Sequence, residues 1–271
     1  RLPPLGELHW NNEISTKVPK AMSPELAELV GYFMGDGSLH SKGLRFCVTK
    51  EDEDVARQLI ALVKDLFNLE CHITQKQGYI EVAVNSVALV LWWEASGFDK
   101  LKPTPEHSGK GYTPRIPSAV LYTNNAKCYG AFLRGLLEAD GTVTSGSACW
   151  STASESFSKQ VKTLFLTLGI PTTSRITTSG WGNAPIHVLR TLNESYNAQF
   201  KQLVGFIGSR KSNSLAIKTD TSQASRRDYI YLPNELVHKA LKNNMAKNAL
   251  KMSIKRHSAV TRRSLTQIYE E

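Results

Sequence analysis

The sequence predicts an α+β protein made of two similar repeats. A stretch of nine residues at positions 29–37 returns at positions 133–141, so the two copies lie 104 residues apart. Each copy has the composition of an apolar helix that stops at an Asp-Gly pair, and strand-like alternation of apolar residues follows each copy. The recurrence of this order predicts tandem duplication of one αββαββα unit.

The first repeat is predicted over residues 23–98, behind an extended lead-in at residues 1–22. Ser23 has the chemistry of an N-cap and Pro24 suits the first position of a helix that runs to Asp36. The later elements follow from the spacing of apolar residues. They are a strand at 44–49, a helix at 52–68, a hairpin with strands at 69–76 and 79–84, and a helix at 86–96.

The second repeat is predicted over residues 126–215, in the same order. An aromatic residue follows each motif Asp after ten positions, and a glutamate follows it after fifteen. A linker at residues 99–125, rich in turn-forming residues, joins the repeats. Behind them we expect a basic helical extension at residues 216–271, with helices at 232–242 and 258–269.

Small residues give each motif helix one nearly bare face. Gly31 and Gly35 lie four positions apart, as do Gly135 and Ala139, so two such faces can touch backbone to backbone. Packing of this kind would set the two motif acids side by side. The glycines that follow the acids are expected in the left-handed conformation common after helix ends.

Asp36 and Asp140 are the acids that this packing would bring together. Two adjacent carboxylates repel each other, and the negative ends of two helix dipoles add to the repulsion. The arrangement therefore calls for a cation. A hard divalent ion is indicated, and Mg²⁺ suits one or two carboxylates completed by water and phosphate.

The repeated motif resembles that of the LAGLIDADG homing endonucleases, in the single-chain form with two motifs and most closely the type found inside inteins. The resemblance covers nine residues twice, and the repeat around them spans residues 22–215. It implies two pseudo-symmetric αββαββα repeats that form a DNA-binding saddle. It also implies a monomeric enzyme that hydrolyses both strands of a long, partly asymmetric double-stranded DNA target and leaves 3′ overhangs.

The resemblance further implies the metal ligands. Asp36 and Asp140 would be catalytic, and they would bind metal together with the backbone carbonyls of Gly35 and Ala139. Mg²⁺ is the expected cofactor, and Mn²⁺ or Ca²⁺ can replace it for binding. The sixth motif position, acidic in many family members, is Met34 in the first copy and Glu138 in the second. We expect that departure to affect helix-end contacts more than chemistry.

Family members also place a lysine or arginine near each site, where it can stabilise the transition state or polarise water. Lys211 fits this pattern in the second repeat. For the first repeat the sequence leaves three candidates open, namely Lys102, Lys110 and Arg115.

Polar side chains on the open face of each sheet are the candidates for reading base edges, because strands of this kind can lie in the major groove. Alternation assigns Arg45, His72, Thr74 and Lys76 to that face in the first repeat, and Arg175 and Thr177 in the second. Arg190 is a further candidate, but its strand alternates poorly and leaves its side open. Additional basic DNA contacts are expected outside the strands, at Lys110, Arg210, Arg226, Arg227, Lys255 and Arg256.

The charge distribution agrees with a polyanionic partner. The chain carries a formal charge of +9, and residues 201–271 hold 14 Lys and Arg against 5 Asp and Glu, whereas residues 1–200 hold 19 of each. The four cysteines lack C-x-x-C spacing, which argues against a zinc site or a disulfide framework. An intracellular protein without a membrane partner is expected, because neither a signal peptide nor a long apolar run is present.

Three other functions stay open. A DNA-binding regulator with this fold would bind without cutting, although it would have no need of both motif acids. An RNA maturase is a second alternative, since related folds serve group I introns. Protein splicing is a third alternative, but inteins begin with Cys or Ser and end in His-Asn, whereas this sequence begins at Arg1 and ends at Glu271, so any splicing half is expected to be absent or to have been removed.

Overall fold

The computed structural model describes residues 1–5, 16–107, 111–178, 184–192, 196–217, 229–231 and 259–261. The chain divides into one unit of residues 1–217 and another of residues 218–271. The first unit holds both repeats and the linker between them.

The first repeat has the predicted order of elements. Its helices are α1 (Pro24–Asp36), α2 (Glu53–Phe67) and α3 (Val87–Ala95), and its strands are β1 (Gly37–His40), β2 (Gly43–Thr49), β3 (His72–Gln75) and β4 (Tyr79–Asn85). The strands form an antiparallel sheet in the order β1-β2-β4-β3. The short strand β1, which follows directly on the motif acid, belongs to the predicted αββαββα order, although the sequence analysis assigned no residues to it.

The second repeat copies the first. A short linker helix α4 (Ser118–Leu121) precedes α5 (Ala126–Asp140), β5 (Gly141–Thr144), β6 (Ser147–Thr152), α6 (Glu155–Thr167), β7 (Thr172–Thr178), β8 (Pro185–Thr191), α7 (Asn197–Leu203) and α8 (Ser209–Ser214). The sheet order β5-β6-β8-β7 matches that of the first repeat. The predicted α+β fold with two αββαββα repeats is confirmed.

The second unit contributes one described feature, an antiparallel pair of β9 (Tyr229–Tyr231) and β10 (Ala259–Thr261). The helix predicted over 258–269 is therefore wrong at residues 259–261. Their β-branched Val260 and Thr261 suit a strand once a partner strand is available. The helix predicted at 232–242 lies outside the described residues.

The two motif helices cross with their backbones in contact. A Cβ atom added at Gly31 would lie 2.0 Å from the carbonyl oxygen of Phe132, and one added at Gly135 would lie 2.0 Å from the carbonyl oxygen of Glu28. Neither position can hold a larger residue without separating the helices. The packing predicted from the small residues is confirmed, and it brings the C-terminal ends of α1 and α5 together.

The glycines after the motif acids serve close packing rather than a left-handed turn. Gly37 has φ −89° and ψ 150°, and Gly141 has φ −89° and ψ 165°, so both are extended and the predicted left-handed conformation is wrong. A Cβ at Gly37 would meet the carbonyl oxygen of Phe33 at 2.6 Å, and one at Gly141 would meet that of Leu137 at 2.4 Å. The missing side chain lets each chain turn directly from helix into strand.

Capping fixes where the motif helices begin. The Ser23 side chain accepts a hydrogen bond from the amide of Leu26, as predicted, and the Asn125 side chain accepts one from the amide of Lys127. The described parts of the lead-in pack on the first repeat, where the amide of Lys17 donates to the carbonyl of Phe67. No helix among the described residues is both long and apolar enough to cross a bilayer.

Candidate active site

The two motif acids meet where α1 and α5 end. The Asp140 carboxylate lies beside Gly35, since a Cβ added there would be 3.2 Å from Asp140 Oδ2 and 2.5 Å from the Cβ of Ala139. Asp36 follows Gly35 directly, and both acids are solvent-exposed residues that precede the edge strands β1 and β5. The crossing thus places the two carboxylates at one accessible site between the repeats.

Electrostatics at this site oppose two negative charges. Desolvation and the charge of Asp36 raise the pKa of Asp140 to about 6. Desolvation also raises the pKa of Asp36, although Lys100 and Lys211 act in the opposite direction. Two neighbouring carboxylates whose anionic forms are both disfavoured form a site that gains from a bound cation.

Lys211 packs against the last turn of α5. Its buried ammonium donates to the backbone carbonyl of Glu138 and, at 3.3 Å, to that of Leu137, and it lies 3.6 Å from Glu138 Oε1. Desolvation lowers the pKa of Lys211, and the charge of Glu138 acts against this. A buried cation therefore stands beside the turn that ends in Asp140.

Lys100 has the same relation to α1. Its ammonium donates to the carbonyl oxygen of Gly35 at 2.7 Å and lies 5.8 Å from the centre of the Phe33 ring. Desolvation lowers the pKa of Lys100, whereas Asp140 and then Asp36 act to raise it. Each motif helix thus ends against one lysine from its own repeat: Lys100 follows α3, and Lys211 lies in α8.

Sequence reasoning missed Lys100 as the basic residue of the first repeat. Lys102 is exposed and lines a cavity of about 570 Å³ beside Lys100. The guanidinium of Arg115 is occupied by Asp99 at 3.2 Å, and Lys110 lies outside the described residues. We therefore replace Lys102 and Arg115 by Lys100 as the candidate.

Alignment of Gly97-Phe98 with Gly205-Phe206 would pair Lys102 with Arg210 and would not pair Lys100 with Lys211. Lys100 lies three residues after Gly97, whereas Lys211 lies six residues after Gly205. Alignment of the pairs therefore hides the equivalence of the two lysines. Only the placement of each ammonium on a motif carbonyl reveals it.

The sixth motif position differs between the repeats in its contacts. Glu138 is buried, its Oε2 accepts a hydrogen bond from the amide of Gly208 at 2.9 Å, and desolvation raises its pKa. Met34, the residue at this position in the first copy, is a buried core residue. The acidic residue in the second repeat thus ties the end of α5 to the segment that carries Lys211.

In the first sheet, the predicted DNA-reading residues share one face. Arg45 and His72 both lie opposite Ala83, and Thr74 lies opposite Glu81, whereas the core residues Phe46 and Val82 oppose each other on the other face. The amide of Lys76 donates to the carbonyl of Tyr79, which continues the same register. Arg45 lies 3.8 Å from Glu81, so its charge is partly offset.

In the second sheet, Arg175 and Thr177 lie on the face opposite the buried Leu189. Arg190, whose side was open, is on the same face as Arg175, because it pairs with Thr173 and with Cys149. Its guanidinium donates to the carbonyl of Thr144 at 2.9 Å. Arg175 is thus the more available of the two arginines.

The remaining basic candidates divide into one paired residue and several that the structure does not describe. Arg210 donates from Nε and Nη2 to Asp52 at 2.8 and 2.6 Å, so an acid of the first repeat already holds its guanidinium. Besides Lys110, four predicted DNA contacts lie outside the described residues, namely Arg226, Arg227, Lys255 and Arg256.

The donor set at the helix ends fits a hard divalent ion. Two exposed carboxylates, Asp36 and Asp140, stand side by side, and Gly35 presents a carbonyl oxygen at the same place. In the described ranges, this site included, no group of three or more His, Cys, Asp or Glu side chains could hold a metal, so an ion here would depend on two carboxylates and backbone carbonyls. Of the two carbonyls predicted to bind metal, that of Gly35 accepts a hydrogen bond from Lys100. Lys211 contacts the carbonyls of Leu137 and Glu138 rather than that of Ala139.

Comparison with known families identifies the second repeat. Residues 127–205 match the model of the LAGLIDADG-like domain. This stretch begins in α5 and extends past α7, so it contains the motif acid and the whole second sheet. The predicted resemblance to LAGLIDADG proteins is confirmed for the second repeat.

Curated relatives match most of this chain but only a small part of their own length. The chain is 28% identical over 232 residues to glutamine–fructose-6-phosphate aminotransferase from Methanocaldococcus jannaschii, covering 83% of this chain and 20% of that protein. It is 26% identical over 226 residues to the replication factor C small subunit of the same organism, covering 78% of this chain and 12% of that protein. The chain therefore spans a fifth or less of these relatives.

Solved structures give distant matches. A structure of the homing endonuclease I-DmoI in complex with DNA and Mn has 17% identity and a TM-score of 0.47, over 67% of this chain and 96% of that chain. Full-length DUF199/WhiA from Thermatoga maritima has 16% identity and a TM-score of 0.47, over 89% of this chain and 72% of that chain. At these values the likeness says nothing about chemistry at the paired carboxylates.

Proposed function

We propose that this chain, which carries a LAGLIDADG-like domain, is a site-specific homing endonuclease that hydrolyses both strands of duplex DNA with a divalent metal ion. The observation that carries the proposal is the pairing of Asp36 and Asp140 at the ends of two crossed helices. A regulator that only binds DNA would not need two carboxylates in mutual repulsion. Two equivalent acids at a pseudo-twofold crossing suit two phosphodiester bonds, one on each strand.

The relatives support an origin as a mobile, intein-type module. An aminotransferase and a replication factor subunit have unrelated activities, yet each contains a segment similar to at least 78% of this chain. The shared segment accounts for 20% of one protein and 12% of the other. Insertion of one module into different host proteins explains this pattern, whereas aminotransferase or replication activity of the segment itself does not.

The chemistry at the site is hydrolysis by water, with no side-chain nucleophile. Bound divalent ions, with Mg²⁺ expected and Mn²⁺ or Ca²⁺ able to bind in its place, would offset the carboxylate charge and lower the pKa of the attacking water. Asp36 and Asp140 would hold these ions. Lys100 and Lys211 place positive charge beside the same helix ends, where it can stabilise charge that develops on the phosphate.

The two sheets would hold the substrate. Arg45, His72 and Thr74 share the polar face of the first sheet, and Arg175 and Thr177 share that of the second. Side chains on such a face can reach base edges in the major groove. Because the two sets differ, a long and partly asymmetric target read by a monomer is expected, and cleavage would leave 3′ overhangs.

The test uses a randomised duplex DNA library, because the target sequence is unknown. The wild-type protein in Mg²⁺ should release double-strand ends of defined sequence, which sequencing will identify. Asp36→Asn and Asp140→Asn should release none, while both variants still shift the selected duplex in Ca²⁺. Asp65→Asn, which alters an exposed acid on α2, is the matched control and should cut normally.

Each other outcome assigns a different function. Full cleavage by either Asp36→Asn or Asp140→Asn would refute the assignment of the site. Specific duplex binding by the wild type with no released ends would favour a non-cleaving regulator. Stronger retention on structured RNA than on duplex DNA would favour a maturase.

A further inference from the structure

The residue immediately before each of the two lysines, Lys211 and Lys100, takes part in an ion pair. Arg210, the residue immediately before Lys211, is paired with Asp52 at 2.6 Å, and Asp99, the residue immediately before Lys100, is paired with Arg115 at 3.2 Å. In each repeat, therefore, the neighbour of the lysine is fixed by a partner distant in sequence.

The pair in the second repeat is a clamp between the repeats. Asp52, at the start of α2, is buried at 4% exposure, and it accepts two hydrogen bonds from the Arg210 guanidinium. Bidentate contacts of this kind fix orientation as well as distance. Asp54, in the first turn of α2, accepts a hydrogen bond from the amide of Ser209 at 2.8 Å. The segment that carries Lys211 is thus held by two acids of the other repeat.

The pair in the first repeat is local to the linker. The Arg115 guanidinium bridges Asp99 and the carbonyl of Gly97, which it reaches at 3.1 Å. One residue beyond Lys100, Leu101 exchanges two backbone hydrogen bonds with Thr113. The turn that carries Lys100 is therefore bound to the linker. Among the described residues, it has no ion pair with the second repeat like that between Asp52 and Arg210.

We propose that these two ion pairs are independent positioning devices, Asp52–Arg210 for Lys211 and Asp99–Arg115 for Lys100, and that each pair controls cleavage of one DNA strand. The strand-specific part rests on the proposed nuclease function. The positioning part does not, because it concerns only where each ammonium lies in the protein. The four residues act through the lysines and need not touch DNA themselves.

The first experiment measures the positions of the lysines without DNA. The full chain is labelled with limiting sulfo-NHS-acetate in EDTA, and mass spectrometry gives the labelling rate of each lysine. Asp52→Asn should increase labelling of Lys211 and leave Lys100 unchanged, and Asp99→Asn should do the reverse. Glu53→Gln breaks an exposed ion pair on the first turn of α2 and should change neither rate.

A second variant covers the case in which Asp52→Asn does not fold. Arg210→Lys keeps the charge that faces the buried Asp52 but removes the two parallel hydrogen bonds, and the Arg210 side chain is already 50% exposed. It should also raise labelling of Lys211 alone. Equal changes at both lysines, or no change in either variant, would overturn the proposal.

The second experiment follows each strand of the selected duplex with a separate end label. Asp52→Asn should slow cleavage of one strand by roughly 10- to 100-fold, and Asp99→Asn should slow the other by a similar factor, because small displacements of a catalytic group cost rates of this order. Both variants should accumulate nicked duplex with nicks in opposite strands. Equal slowing of both strands would contradict the strand-specific assignment. A wild type that never cuts would refute the nuclease function, while the labelling experiment would still decide the positioning role.

Discussion

Gly135→Ala tests the helix crossing on which the site depends. A Cβ at this position would lie 2.0 Å from the carbonyl oxygen of Glu28 and 2.6 Å from the amide nitrogen of Tyr32. Both atoms belong to the backbone of α1, so no side-chain rotation can relieve the overlap. To reach an ordinary contact of 3.4 Å, the helices would have to separate by about 1.4 Å.

The expected cost follows from two opposing terms. Overpacking costs about 1–3 kcal/mol and more where backbone cannot yield, while alanine in place of glycine within a helix gains up to about 1 kcal/mol. Because the obstacle here is backbone on both sides, we expect a net destabilisation of about 3 kcal/mol. The same separation would move Asp140 away from Asp36, so cleavage should fall further than DNA binding.

Urea unfolding in EDTA measures the stability change. Gly135→Ala should lower the midpoint without changing the slope, and it should lower Tm by about 6–12 °C for a domain of this size. Gly78→Ala is the control, because a Cβ there meets nothing within 4 Å and only its φ of +99° opposes the change, at a cost of about 1–2 kcal/mol. A Gly135→Ala protein as stable as the wild type, or more stable, would refute the contact between the helices.

Three further predictions concern charge. Asp140→Asn should stabilise the metal-free protein above pH 6 by less than about 1 kcal/mol, because the raised pKa makes the anion unfavourable and the exposure of the residue limits the effect. The gain in stability should vanish as pH falls from 6 towards 4, where the wild-type carboxyl is protonated. Thermal melts of both proteins across this pH range will measure it. Arg134→Met should cost about 3 kcal/mol in urea unfolding because it removes the ion pair of the buried Glu28 at 2.8 Å, and adding Glu28→Gln should recover most of the loss; equal stability of the single variant and the wild type would contradict this. Arg175→Ala should weaken specific binding by about 1–3 kcal/mol and relax base preference at one position of the target, whereas a uniform loss on all sequences would indicate a phosphate contact instead.

The repeat was predictable because its signals are local and occur twice. Glycine spacing alone indicated the contact of α1 with α5, and strand alternation placed Arg45 and Arg175 on the open faces. The basic residue of the first site was not predictable in this way. Lys100 reaches Gly35 across 65 positions of sequence, and the two repeats place their lysines at different distances from the Gly-Phe pair.

Other features depended on tertiary context. Gly37 was expected in the left-handed conformation because many helices end in that way. Glycine is needed here for a different reason, because a Cβ atom would overlap Phe33. Arg210 has the charge expected of a DNA contact, yet its guanidinium forms an ion pair with the buried Asp52 of the other repeat. Pairing between distant segments also produced the strand at residues 259–261, where a helix was predicted.

Anomalous diffraction can show whether Asp36 and Asp140 bind divalent metal together. Crystals of the protein with its selected DNA target, grown in Ca²⁺ and exchanged into Mn²⁺, should show an anomalous peak about 2.0–2.6 Å from an oxygen of each carboxylate. Peaks at this position in the wild type, and their loss in Asp36→Asn, are the predicted result. Metal held by neither acid, or carboxylates turned away from each other in the complex, would refute shared metal binding by Asp36 and Asp140.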